Sequence, residues 1–136
     1  MSNVSATVLV GLVAWTLFLL ILMETLRTRL ILTKAIAANE FKPDNSNLSP
    51  FMQRLARAHA NCVESLPVFG VLLIVALLTN QASITNPLAP WLLVARLIQS
   101  CAHLTSLSVL AVYVRFIAFA VQIAIAVYWT WTLLLT

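Results

Sequence analysis

The chain of 136 residues has little charge: Lys, Arg, Asp and Glu make up only 9% of it. Ordinary soluble domains carry about 25%. With 62% hydrophobic residues and a mean hydropathy of +0.99, a soluble globular protein is excluded and a membrane protein follows. Cysteine is scarce too. Cys62 and Cys101 make no Cys-x-x-Cys and no Cys/His metal spacing, so both read as buried structural thiols and no metal is expected. No basic residue precedes the first apolar run, which opens Met1-Ser2-Asn3-Val4 and is followed by Arg27 and Arg29. That pattern argues for a retained span with its N-terminus outside rather than a cleaved signal peptide. Internal repeats and low-complexity segments are absent.

The charge that is present lies in one place. Ten of the twelve charged residues fall between Glu24 and Glu64, and only Arg96 and Arg115 follow. A net charge of +4 concentrated this way points to the cytoplasmic face of a membrane rather than to nucleic acid.

Four spans can be drawn, at about residues 4–23, 58–79, 90–108 and 112–135, within a single domain covering 1–136. The apolar part of the second, residues 66–78, is short of the roughly 20 residues a crossing needs, so Asn61 and Glu64 are drawn toward the membrane. The first connection is basic, and its middle, residues 39–50, reads as irregular because of Pro43, Pro50 and several Asn and Ser. Residues 80–89 carry no charge, and residues 106–110 read as a tight turn. The positive-inside rule then makes the first and third connections cytoplasmic and sets both termini on the opposite face. Trp91, Trp129 and Trp131 fit an outer aromatic belt. The expected architecture is an all-α membrane protein, an antiparallel bundle of four transmembrane helices.

The residues with chemistry lie on helical stripes. Arg57, Asn61 and Glu64 stand at i, i+4 and i+7, within a face about 60° wide that Arg54 extends backwards. In the third span Arg96, Gln99 and His103 form a second stripe, with Ser100 beside them. Arg115 lies one turn inside the fourth. Ionised groups are costly at membrane depth, so such stripes mark a functional site by default. The topology brings Arg54, Arg57, Asn61, Glu64, His103 and Arg115 to one depth. Arg96 lies deeper, as the natural ion-pair partner of Glu64. As a structural feature alone, the same set would form interhelical clamps, with Arg54 and Arg57 as juxtamembrane positive charges.

The run Arg57-Ala58-His59-Ala60-Asn61-Cys62-Val63-Glu64-Ser65-Leu66-Pro67-Val68-Phe69 resembles the second-helix signature of the MAPEG family, membrane-associated proteins of eicosanoid and glutathione metabolism. The length, the four spans, the basic first loop and the arginine in the third span agree with it. The resemblance implies a homotrimer that binds glutathione between protomers near the cytoplasmic face, with Asn61 and Glu64 as contacts. It implies Arg115 as the group that activates the thiol, and Arg27 or Arg29 as the first-helix arginine. His103 stands where the family has a tyrosine, and Ala60 where some members have an arginine, whose role would pass to Arg57 or Arg54.

The residue types suit that ligand. Glutathione carries two carboxylates, an ammonium and a thiol, which call for guanidiniums and one acid. The expected activity is a glutathione transferase, with peroxidase activity as a variant, acting on lipophilic electrophiles from the membrane. The competing reading is a MAPEG-like scaffold that binds lipid or a partner without turnover. A small multidrug exporter fits poorly, because the first span is free of charge until Glu24 at its end.

Overall fold

A computed structural model of the protein describes residues 3–105 and 108–136. All regular structure among them is α-helical: α1 (Val4–Leu32), α2 (Pro50–Leu78), α3 (Ala82–Thr85), α4 (Ala89–Thr105) and α5 (Val109–Leu134). The expected turn at residues 106–110 includes Ser106 and Leu107, which lie outside the described residues.

The starts of α1, α2 and α5 have local causes. Asn3 caps α1, its side chain accepting from the Ala6 amide at 3.2 Å. Ser49 caps α2 at 3.3 Å from the Met52 amide, and Pro50 sits in the first turn, where its fixed φ and missing N–H cost nothing. That is why α2 begins at Pro50, eight residues ahead of the second span drawn from hydropathy. Ser108 caps α5 through the Ala111 amide at 3.2 Å. α1, α2 and α5 are each long and apolar enough to cross a membrane, and most of their surface is not buried within the chain. α1 exposes Leu17, Phe18 and Ile21, the mark of a helix whose outer face meets lipid.

Side-chain bonds at the two ends show the helices running antiparallel. At one end Arg27, near the close of α1, donates to Asn45 Oδ1 from Nε at 3.1 Å and from Nη2 at 2.6 Å. Its Nη1 pairs with Glu24 at 3.0 Å. Asn45, fully buried with φ 56°, donates to the Met52 carbonyl at 2.7 Å. The start of α2 meets the end of α4, where Arg54 Nε donates to the Leu104 carbonyl at 3.0 Å. At the opposite end the Ser5 amide donates to Asn86 Oδ1 at 3.0 Å, and Thr136 Oγ1 donates to Gln81 Oε1 at 2.8 Å.

Two apolar clusters fill the bundle. Val8, Leu12, Phe69, Leu73, Leu92, Ile125 and Trp129 pack at the Ser5 end. Leu19, Met23, Met52, Leu55 and Cys62 pack at the Arg27 end. Trp129 is therefore a core residue and not part of the aromatic belt, since its place on α5 faces Phe69 and Leu92; Trp91 and Trp131 are exposed. Cys62 is buried as expected, but Cys101 is exposed because its side of α4 is left uncovered.

Candidate functional site

Between α2, α4 and α5 the interior turns polar: Arg96, Gln99, Ser100, His103 and Gln122 are all buried. Arg96 is only 2% exposed. Burying such a cation costs several kcal/mol unless its donors are met. Its Nη1 donates to Asn61 Oδ1, its Nη2 donates to Ser65 Oγ at 2.5 Å, and the rings of Phe69 and Phe119 lie 5.8 and 6.0 Å from the guanidinium carbon. The expected Glu64–Arg96 ion pair is not formed. Glu64 is exposed on the outer side of α2, one turn beyond Asn61, and among the described residues the ion pair is Arg27–Glu24.

Toward the basic end of the bundle, Arg115 Nη1 donates to His103 Nδ1 at 3.0 Å. A guanidinium only donates, so Nδ1 is the acceptor and the ring proton resides on Nε2. Full protonation would turn that acceptor into a donor beside a second cation, so the contact exists above the pH at which the ring gains its second proton and is lost below it. Imidazole ¹⁵N shifts of labelled protein in detergent should show the Nε2-protonated tautomer at neutral pH; an Nδ1-protonated ring would contradict the geometry.

A groove of about 480 Å³ runs between α2 and α5. Asn61, Glu64 and Ser65 line one end, and Val68, Phe119, Ile123 and Trp131 carry it along the apolar surface. The six residues expected at one depth are divided. Asn61 and Glu64 share the groove, while His103 and Arg115 meet each other, with Arg54 bonded beside them to Leu104. Arg57 is exposed and lines a separate recess with Asp44 and Ala60. There the Ser46 amide, 3.0 Å from Asp44 Oδ1, holds that carboxyl below the usual carboxylate range. Arg29 is exposed on α1 beside Glu24, Thr25 and Thr28, apart from the groove. Arg27 is engaged by Asn45 and Glu24, whereas Arg29 is exposed.

The family model for MAPEG matches residues 5–135, nearly the whole chain. The chain belongs to the MAPEG family. Its members use glutathione as substrate or cofactor, and with three helices fit to cross a membrane this one is a multi-pass integral membrane protein. Neither the curated proteins nor the solved structures compared with the chain gave a match.

Within the MAPEG signature, Ser65 passed unassigned on sequence, yet it carries half of the Arg96 clamp. Its only sequence signal was a hydroxyl one turn from Asn61. Gln122 was missed too. It is fully buried and donates to Gln99 Oε1 at 2.9 Å, and the lone amide of this MAPEG span, seven residues beyond Arg115, was the available clue.

Proposed function

We propose that this protein is a membrane-embedded glutathione transferase that conjugates glutathione to lipophilic electrophiles, with peroxidase activity as a variant of the same site. The observation that carries this reading is the groove itself: Asn61 and Glu64 form a polar end that continues directly into an apolar surface between two lipid-length helices. The donor set suits glutathione. Asn61 and the exposed Arg57 and Arg29 would hold carboxylates, with Arg54 behind them, and Glu64 would hold the ammonium. Arg96 supports Asn61, and His103 supports Arg115. In one chain these groups do not share a cavity, so the site is completed by assembly. A homotrimer that sets Arg29 of one protomer against the groove of the next would do so.

In this assembly α4 also crosses, as the third of four spans. Its 17 residues reach about 25 Å, and its polar side chains face inward. The basic first connection faces the cytoplasm, and residues 3 and 136 face the other side.

The chemistry that bound glutathione supplies is its thiol, reactive as the thiolate. Holding a thiol about two pKa units below its free value requires about 2.7 kcal/mol of differential stabilisation. Arg115, in the second turn of α5 and partly buried, can provide it together with the helix N-terminus. Isothermal titration of detergent-solubilised protein with glutathione should give saturable binding. No heat at millimolar ligand would overturn the reading.

One observation favours the scaffold reading instead: the Arg115 guanidinium is turned toward His103 and does not line the groove. Chlorodinitrobenzene conjugation separates the two, because a scaffold gives no rate above background.

A further inference from the structure

We infer that Arg96 is a positioning residue: it fixes which way the Asn61 amide faces, and so makes the polar end of the groove a donor at position 61 beside an acceptor at position 64. The inference rests on the reading of this groove as a glutathione site.

A side-chain amide is two-faced, and its two ends are nearly isosteric. What decides its orientation is the partner. The partner here is a guanidinium, which has donors and no acceptor, so the Asn61 atom that meets Arg96 Nη1 must be Oδ1. The amide nitrogen is then left for the groove that Asn61 lines, and no acceptor meets it among the described residues. Ser65 is oriented the same way. Its oxygen accepts from Arg96 Nη2 at 2.5 Å, and its hydrogen goes to the backbone, with the Asn61 carbonyl 2.9 Å away.

The acceptors of this stretch of α2 therefore turn inward to the cation, and the Asn61 N–H groups turn outward. Glu64, three residues on and exposed, supplies the negative charge on the same side. A ligand carboxylate or carbonyl is selected at Asn61 and an ammonium at Glu64, and the reverse placement is refused at both points.

Arg96 suits the role because it is held firmly. It is buried, clamped through two donors, and flanked by Phe69 and Phe119. Without a donor-only group behind it, the amide could turn over and present Oδ1 to the ligand.

The test compares three variants of the whole chain in detergent, by glutathione titration and by thermal midpoint. Asn61→Asp keeps an acceptor for Arg96 but places a second carboxylate oxygen in the groove. It should fold with an unchanged or raised midpoint while affinity falls at least about 30-fold, the effect of losing a charge-assisted hydrogen bond and gaining a repulsion. Arg96→Gln, which can offer the amide either end, should weaken binding clearly more than Arg96→Lys, which can only donate. If Asn61→Asp binds like the parent, or Arg96→Gln binds as well as Arg96→Lys, the inference is overturned.

A parent protein that binds no glutathione sinks the proposed function but still permits a decision here. The Asn61 side-chain amide protons of ¹⁵N-labelled protein should exchange readily with solvent, and the Asn61→Asp midpoint should hold. Protected amide protons or a lowered midpoint would refute the orientation.

Discussion

Arg115→Ala should lower the rate of glutathione conjugation about 100-fold, the effect typical of removing one preorganised cationic donor from a site where negative charge develops. The loss should fall mainly on kcat, because the arginine stabilises the charged form of the thiol more than the bound tripeptide. The ultraviolet thiolate absorbance of the glutathione complex should disappear in the same variant. Persistence of that band would show that another group lowers the thiol pKa, and Arg115 would lose its role while the binding site stood. His103 gives the prediction a second edge. Its Nδ1 accepts from Arg115 at 3.0 Å and so orients the guanidinium. His103→Phe should therefore cost part of the same rate, with Arg115 still in place.

The largest effect on stability is expected far from the groove, in Asn45→Ala. Asn45 is fully buried, takes two donors from Arg27 and gives one to Met52, and holds φ 56°. The substitution leaves a half-buried guanidinium and a carbonyl without their partner. Hydrogen bonds to charged groups contribute about 1.5–3 kcal/mol each. The left-handed backbone, which Asn tolerates and Ala does not, adds about 1 kcal/mol. A loss on the order of 3 kcal/mol is expected after relaxation of the exposed part of the network. The thermal midpoint in detergent checks it, and a shift within error would mean that the first connection is held by the chain ends of α1 and α2 alone.

The all-α membrane class was legible from hydropathy, because a charge-free run such as residues 4–23 has no other use for so much apolar surface. The helix limits were less legible. Hydropathy marks where a helix meets lipid, whereas α2 starts where Ser49 and Pro50 satisfy its first turn. The second-helix stripe stood out by charge, and the 61–64 pair does share a groove. Pairing was hidden because it depends on rotation about the helix axes. Charge alone favoured Glu64 for Arg96, but Glu64 is exposed on the groove side of α2, and two neutral oxygens do the work. Trp129 deceived for the same reason: its position along α5 matched a belt, and its direction did not.

Ser5 bonds to Asn86 and Thr136 to Gln81, so the first and last turns of the chain are anchored to the same short connection. Copies of this protein can therefore be joined end to end by a short flexible linker that never has to thread the bilayer. A concatenated trimer built this way would let Arg29 be removed from one copy and Glu64 from its neighbour. Under the proposed assembly, which copy lends its arginine to which groove would then be read by counting how many sites survive.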